Sequence, residues 1–107
     1  MELRGTESGT VFIGSARVDV HVPGVRSLKG KRKVMNRLKA SLQQELGVSV
    51  AEVGFQDLWQ RGAVGVAVAA SSVSGAERVL DRLVKVIERD PRVIVTEIFT
   101  EIDNVGL

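Results

Sequence analysis

The sequence predicts an α+β domain in the order strand, helix, strand, strand, helix, strand, with one antiparallel four-stranded sheet and two helices on one face. Three observations carry this. Val11–Val22 and Val93–Asp103 alternate apolar and polar residues, as strands with one buried face do. Two intervening segments repeat apolar residues at helical spacing. Arg61–Ala70 (RGAVGVAVAA) is a nearly unbroken run of small and branched residues, which suits a central strand. A ferredoxin-like β-α-β-β-α-β arrangement satisfies all three at once.

Each element can be justified in turn. Residues 1–10 (MELRGTESGT) are polar and aperiodic, and are expected to form a flexible extension before a single domain over 11–105. In the first strand Phe12, Gly14, Ala16, Val18, Val20 and Val22 share one face, and Ser15, Arg17, Asp19 and His21 the other. Pro23-Gly24 ends it. Ser27 is placed to cap a helix running to about Leu46, with Gly47 as its stop. Leu28, Met35, Leu38, Leu42 and Leu46 form its apolar stripe. Val48–Val53 reads as a short strand and Gly54–Gln60 as the connection after it. Ser74-Gly-Ala-Glu77 has capping-box spacing and is expected to open the second helix, whose stripe runs from Ala76 through Leu80 and Leu83 to Ile87. Asp90-Pro91 stops it. In the last strand Ile94, Ile98 and Ile102 are expected to face inward, against Glu97, Phe99 and Glu101.

Composition narrows the function classes. A chain of 107 residues with 44% hydrophobic and 26% charged residues has the make-up of one globular domain. It carries no apolar run long enough to span a bilayer and no charged-then-apolar leader, so a cytoplasmic location without membrane contact is expected. With no cysteine there is no disulfide framework and no thiolate nucleophile or ligand. His21, the only histidine, has no cysteine or carboxylate pair beside it at metal-site spacing. No metal, cofactor or catalytic residue is therefore expected.

Charge is unevenly placed. Arg26, Lys29, Lys31, Arg32, Lys33, Arg37 and Lys39 crowd one segment, with no acid before Glu45, so the rest of the chain is net acidic. The second helix follows ordinary stability rules: Glu77 in its first turn, mixed signs outside, and an Asp81–Lys85 pair at i,i+4. The first breaks them. Each cation near a helix N-terminus costs a few tenths of a kcal/mol, up to about 1. Gly30 adds about 1 kcal/mol more against alanine. Solubility alone accounts for many basic helix faces, but this concentration favours a polyanionic ligand. Arg26, Ser27, Lys29, Lys31, Arg32, Lys33 and Arg37 are the expected anion or nucleic-acid site.

A second feature is Gln56-Asp57-Leu58-Trp59-Gln60. Trp59, with Phe55, is expected to close one end of the core, while Gln56, Asp57, Trp59 and Gln60 are also the candidates for a recognition loop. Arg17, Asp19, His21, Glu97, Phe99 and Glu101 are expected on the uncovered sheet face, a solvated or subunit-contact surface.

HVPGVRSLKGKRK, VSVAEVGFQDLWQRGAVGVAV and VIVTEIFTEI together resemble the YlxP-like family of short bacterial proteins over roughly Val11–Asp103. The distinctive parts are Ser27-Leu28-Lys29 with Lys31-Arg32, and Gln56–Gln60. Gly30 departs mildly from the family, where a polar residue commonly stands. The resemblance implies a ferredoxin-like fold and, through gene neighbourhoods rich in translation initiation and ribosome maturation, a role linked to RNA or the ribosome. It carries over no catalytic residues. The expected function is thus non-catalytic binding of RNA or a ribosomal particle through the first helix. Two alternatives stand beside it. One is an acylphosphatase-like phosphate-binding enzyme using Arg26. The other is an interaction module that forms a homodimer through its open sheet face or an edge strand.

Overall fold

The computed structural model describes residues 9–106. The expected extension therefore lies mostly outside the described residues, and only Gly9 and Thr10 lead into the first strand. The elements are β1 (Val11–His21), α1 (Leu28–Leu46), β2 (Ser49–Gly54), β3 (Arg61–Ala70), α2 (Val73–Leu80), α3 (Leu83–Ile87) and β4 (Ile94–Val105). The strands form one antiparallel sheet in the order β2-β3-β1-β4. With the helices on one face, this is the ferredoxin-like arrangement.

The period-2 pattern of β1 explains its central position. Ala16, Val18 and Val20 point into the core beside Val64 and Val66 of β3. From above, α1 contributes Val34, Met35, Leu38 and Leu42, while α2 and α3 contribute Leu80, Leu83 and Val86. Gly62 lets α1 come close: a Cβ there would lie 2.9 Å from both Sδ and Cε of Met35. Gly47 ends α1 in the left-handed conformation (φ 63°), with its N–H bonded to Gln43 O.

Three details depart from the sequence expectation. Ser72, rather than Ser74, caps the second helix, accepting from Gly75 N at 3.0 Å. Ser74 is the second residue of that helix, Ser72 two residues before it has the extended backbone a cap requires, and Glu77, expected in the first turn, therefore lies beyond it. The second helix is also two short helices. Around Asp81 and Arg82 the bonding tightens to Arg82 N→Val79 O, yet Leu80 and Leu83 stay buried on either side of the break.

The third departure lies in β4. Its register against β1 shifts at Asp19/Val20, so Val20 faces Val95 while Asp19 faces Glu97. Thr96 is the extra residue, and its hydroxyl donates to Asp19 O at 3.2 Å. One inserted residue moves everything before it to the other face. Ile94, expected inside, therefore stands opposite His21 on the open face, and Val95 takes the inward position.

Candidate nucleic-acid interface

Strand directions bring three connections to one end of the sheet: the β1–α1 turn, the β2–β3 connection and the α3–β4 turn. The β1–α1 turn holds Arg26 and Ser27. Val25 N bonds Val22 O, and Ser27, with extended backbone, accepts from Gly30 N at 3.0 Å. Ser27 O takes the Lys31 N–H, which leaves the Leu28 and Lys29 N–H groups at the helix start without intrahelical acceptors. No acid stands in the first turn.

Arg26, Lys29, Arg32, Lys33 and Arg37 are exposed, and Lys39 is half-buried. None forms an ion pair with a described residue; the ion pairs are Arg17–Asp19, Arg89–Glu45 and Arg92–Asp90. Lys31 differs. It is only 2% exposed, and its ammonium is turned inward, where it donates to Phe55 O and, at 2.7 Å, to Leu58 O. Burial holds its pKa below the usual lysine value, and attraction from the Glu52 and Asp57 carboxylates offsets part of that shift. Lys31 is thus a strut between α1 and the β2–β3 connection, and its charge is spent on two carbonyls. Its place was legible. At 100° per residue, position 31 falls in the middle of the arc formed by Val34, Met35, Leu38 and Leu42. A basic residue type masked an apolar-face position.

The Gln56–Gln60 connection is held from three sides. Besides Lys31, Gln60 Nε2 donates to Pro23 O and Val25 O at 3.2 Å each, and Gln60 O accepts from Val22 N. Phe55 adopts φ 58°, a conformation that costs a non-glycine residue on the order of 1 kcal/mol or more. Its carbonyl accepts from both Leu58 N and Lys31 Nζ, and the Arg61 guanidinium lies 4.0 Å from its ring centroid. The two distinctive motifs of the sequence are therefore one bonded unit.

Trp59 does not close the core. It is 51% exposed, beside an exposed Leu58, along a shallow hollow of about 420 Å³ lined by residues 57–61. Its neighbours Leu58 O and Gln60 are both tied inward, so the intervening side chain is carried outward. Gln56 and Asp57 make no hydrogen bond within the connection. They line a separate groove of about 420 Å³ with Arg32, Lys39 and Glu52. Gln60 is the amide that satisfies turn backbone. Among the described residues no three His, Asp or Glu side chains gather as metal ligands, and no helix is long and apolar enough to cross a membrane.

The family described as a protein of unknown function (DUF503) matches residues 13–100. The chain belongs to that family. The uncharacterized protein YlxP of Bacillus subtilis (strain 168) is 36% identical over 82 residues, covering 77% of this chain and 89% of its own. Among solved structures the chain is similar to the de novo designed protein Foldit4, with 17% identity, a TM-score of 0.48, and 85% and 96% of the two chains covered. It is also similar to a dimeric ferredoxin-like protein from an uncultured marine organism, with 14% identity, a TM-score of 0.48, and 90% and 88% covered. The intact alpha subunit of aIF2 from Pyrococcus abyssi has 17% identity and a TM-score of 0.48, over 91% of this chain and 35% of that one.

Proposed function

We propose that this domain is a non-catalytic RNA-binding protein, acting on RNA or a ribosomal particle through the N-terminal half of α1. One observation carries the reading. Arg26, Lys29, Arg32, Lys33 and Arg37 are exposed on one helix and its lead-in, and none forms an ion pair with a described carboxylate, although Arg37 lies near enough to Asp90 to help lower its pKa. Such a cluster self-repels and disfavours the helix start, and a polyphosphate backbone relieves both effects. Phosphates meet the N–H groups of Leu28 and Lys29 and the guanidinium and ammonium groups beyond. Trp59 extends the surface at the same end, where an exposed ring offers a base a stacking face.

The test is fluorescence anisotropy of a labelled single-stranded RNA over a range of salt. Five phosphate contacts on a single strand predict a slope of about −3.5 in log K against log salt. Replacing Lys29, Arg32, Lys33 and Arg37 by glutamate, with Lys31 left in place to hold the loop, should abolish binding. Salt-insensitive association, or an unaffected variant, would overturn the proposal.

A further inference from the structure

The sheet face opposite the helices is uncovered, and its relief is asymmetric. On the β2–β3 half Ser49, Ala51, Gly65 and Ala67 edge a hollow of about 350 Å³, bounded by exposed Val53, whose Cγ1 lies 3.1 Å from where a Gly65 Cβ would sit. On the far side stands Phe99 of β4, 53% exposed. Registry puts these in one row across the sheet, Ala51–Gly65–Arg17–Phe99. Charge divides the same way. The open face of β4 carries Glu97, Glu101 and Asp103, each in register with an open-face residue of β1. The β2–β3 half has no acid on that face. Its guanidiniums are Arg61, stacked on Phe55, and Arg17, whose Nη2 reaches to 3.3 Å from where a Gly54 Cβ would sit. The remaining open-face acid, Asp19, is already paired with Arg17 at 2.9 Å.

We infer that this face is the contact surface between two copies of the chain, stacked about a two-fold axis that runs parallel to the strands. Such an axis keeps each residue's level along the strand and reverses the strand order, so β4 of one copy lies over the partner's β2. Phe99 then enters the hollow beside the partner's Ala51. Glu97 comes to the level of the partner's Gly54, where the partner's Arg17 guanidinium lies. Both contacts occur twice, as an isologous interface requires. The other in-plane axis, across the strands, sets Phe99 on Phe99 and acids on acids. A polyanion is disfavoured because Glu97, Glu101 and Asp103 repel it.

The area fits a modest dimer. Four strands about 4.8 Å apart and about ten residues long give on the order of 600 Å² per copy, near the lower bound for a specific interface. So small a contact must outweigh the lost translational and rotational freedom of two chains, so a weak, concentration-dependent dimer is expected. The RNA surface proposed above lies on the other side of the molecule, so the two readings stand or fall separately.

Sedimentation velocity decides it. The wild-type chain should pass from 11.6 kDa monomer to dimer as concentration rises to about 100 µM. Phe99→Glu and Ala51→Arg, both at exposed positions, should each raise the dissociation constant at least about 30-fold. The K29E/R32E/K33E/R37E variant should dimerise like wild type. The chain has no cysteine, so F99C mixed with A51C should be joined by a short bismaleimide that bridges sheets about 10 Å apart. F99C alone should not be. A monomer at every concentration, or dimers indifferent to both face substitutions, overturns the interface; efficient F99C self-linking overturns the axis.

Discussion

The two helical layers cover the same sheet by the same apolar spacing, yet their outer faces are arranged differently. The layer of α2 and α3 is broken at Asp81–Arg82 and mixes signs on its surface. In α1, 19 residues run without a break, and the difference falls within the helix itself. Its last turn carries Glu45, paired with Arg89 of the other layer. The charged residues of its first turns are all cations, none in an ion pair with a described residue, and only Lys31 among them is turned inward onto backbone carbonyls. Both ends of α1 carry charge of the sign the helix dipole disfavours, but only the C-terminal acid is offset by an ion partner, Arg89. The uncompensated charge is local, and it coincides with the end where the Gln56–Gln60 connection is fastened down.

The largest effect should separate Lys31 from the cations around it. Lys31→Ala removes the ammonium that serves two loop carbonyls and the buried stem that carries it, at a cost of about 2–3 kcal/mol in urea unfolding. Lys29→Ala, two residues away on the opposite, exposed side of the helix, should stay within about 0.5 kcal/mol. Equal losses would mean that burial does not distinguish them. Trp59 emission should shift in the Lys31 variant because the connection that carries it is released.

A smaller effect tests the contrast between the layers. Lys29→Glu with Lys33→Glu should stabilise the fold by about 1 kcal/mol while weakening RNA affinity, because acids suit a helix start. Glu77→Lys, which lies beyond the first turn of α2, should change stability by less than about 0.5 kcal/mol. If the α1 substitutions destabilise, the cations are part of the fold and the argument for a ligand fails.

Most of the architecture was legible because it rests on periodicity. Alternation in β1, the small-residue run in β3 and two apolar stripes admit few arrangements. What escaped depends on single residues and their partners. The Thr96 bulge that turns Ile94 outward leaves no mark on the alternation before it. Ser72 and Ser74 are equally good caps by type, and only backbone conformation separates them. Trp59 was misplaced because residue size predicts burial, whereas Lys31 and Gln60 hold the flanking backbone so that the indole points out. The candidate cations were visible as a group. That Lys31 is a strut was implicit in the helical arc.

The smallest predicted effect compares how two connections at one end of the sheet are fastened. The α3–β4 turn is closed by Asp90, whose Oδ1 accepts from Arg92 N and Nε and whose Oδ2 accepts from Arg92 Nη2 at 2.6 Å. The side-chain hydrogen bonds from Arg92 hold the Asp90 carboxyl below its ordinary value of 3.8. The folded state therefore binds this proton less readily than the unfolded chain. The resulting stability is present above pH 3.8 and is lost as pH falls through the folded value. Lys31 has its pKa lowered mainly by burial, so the folded state releases its proton first, and stability rises with pH as the ordinary value of 10.5 is approached. Asp90→Asn should flatten only the acid limb of a stability–pH curve, and Lys31→Met only the alkaline limb. If either variant alters both limbs, the two fastenings are coupled and the end of the sheet behaves as one unit.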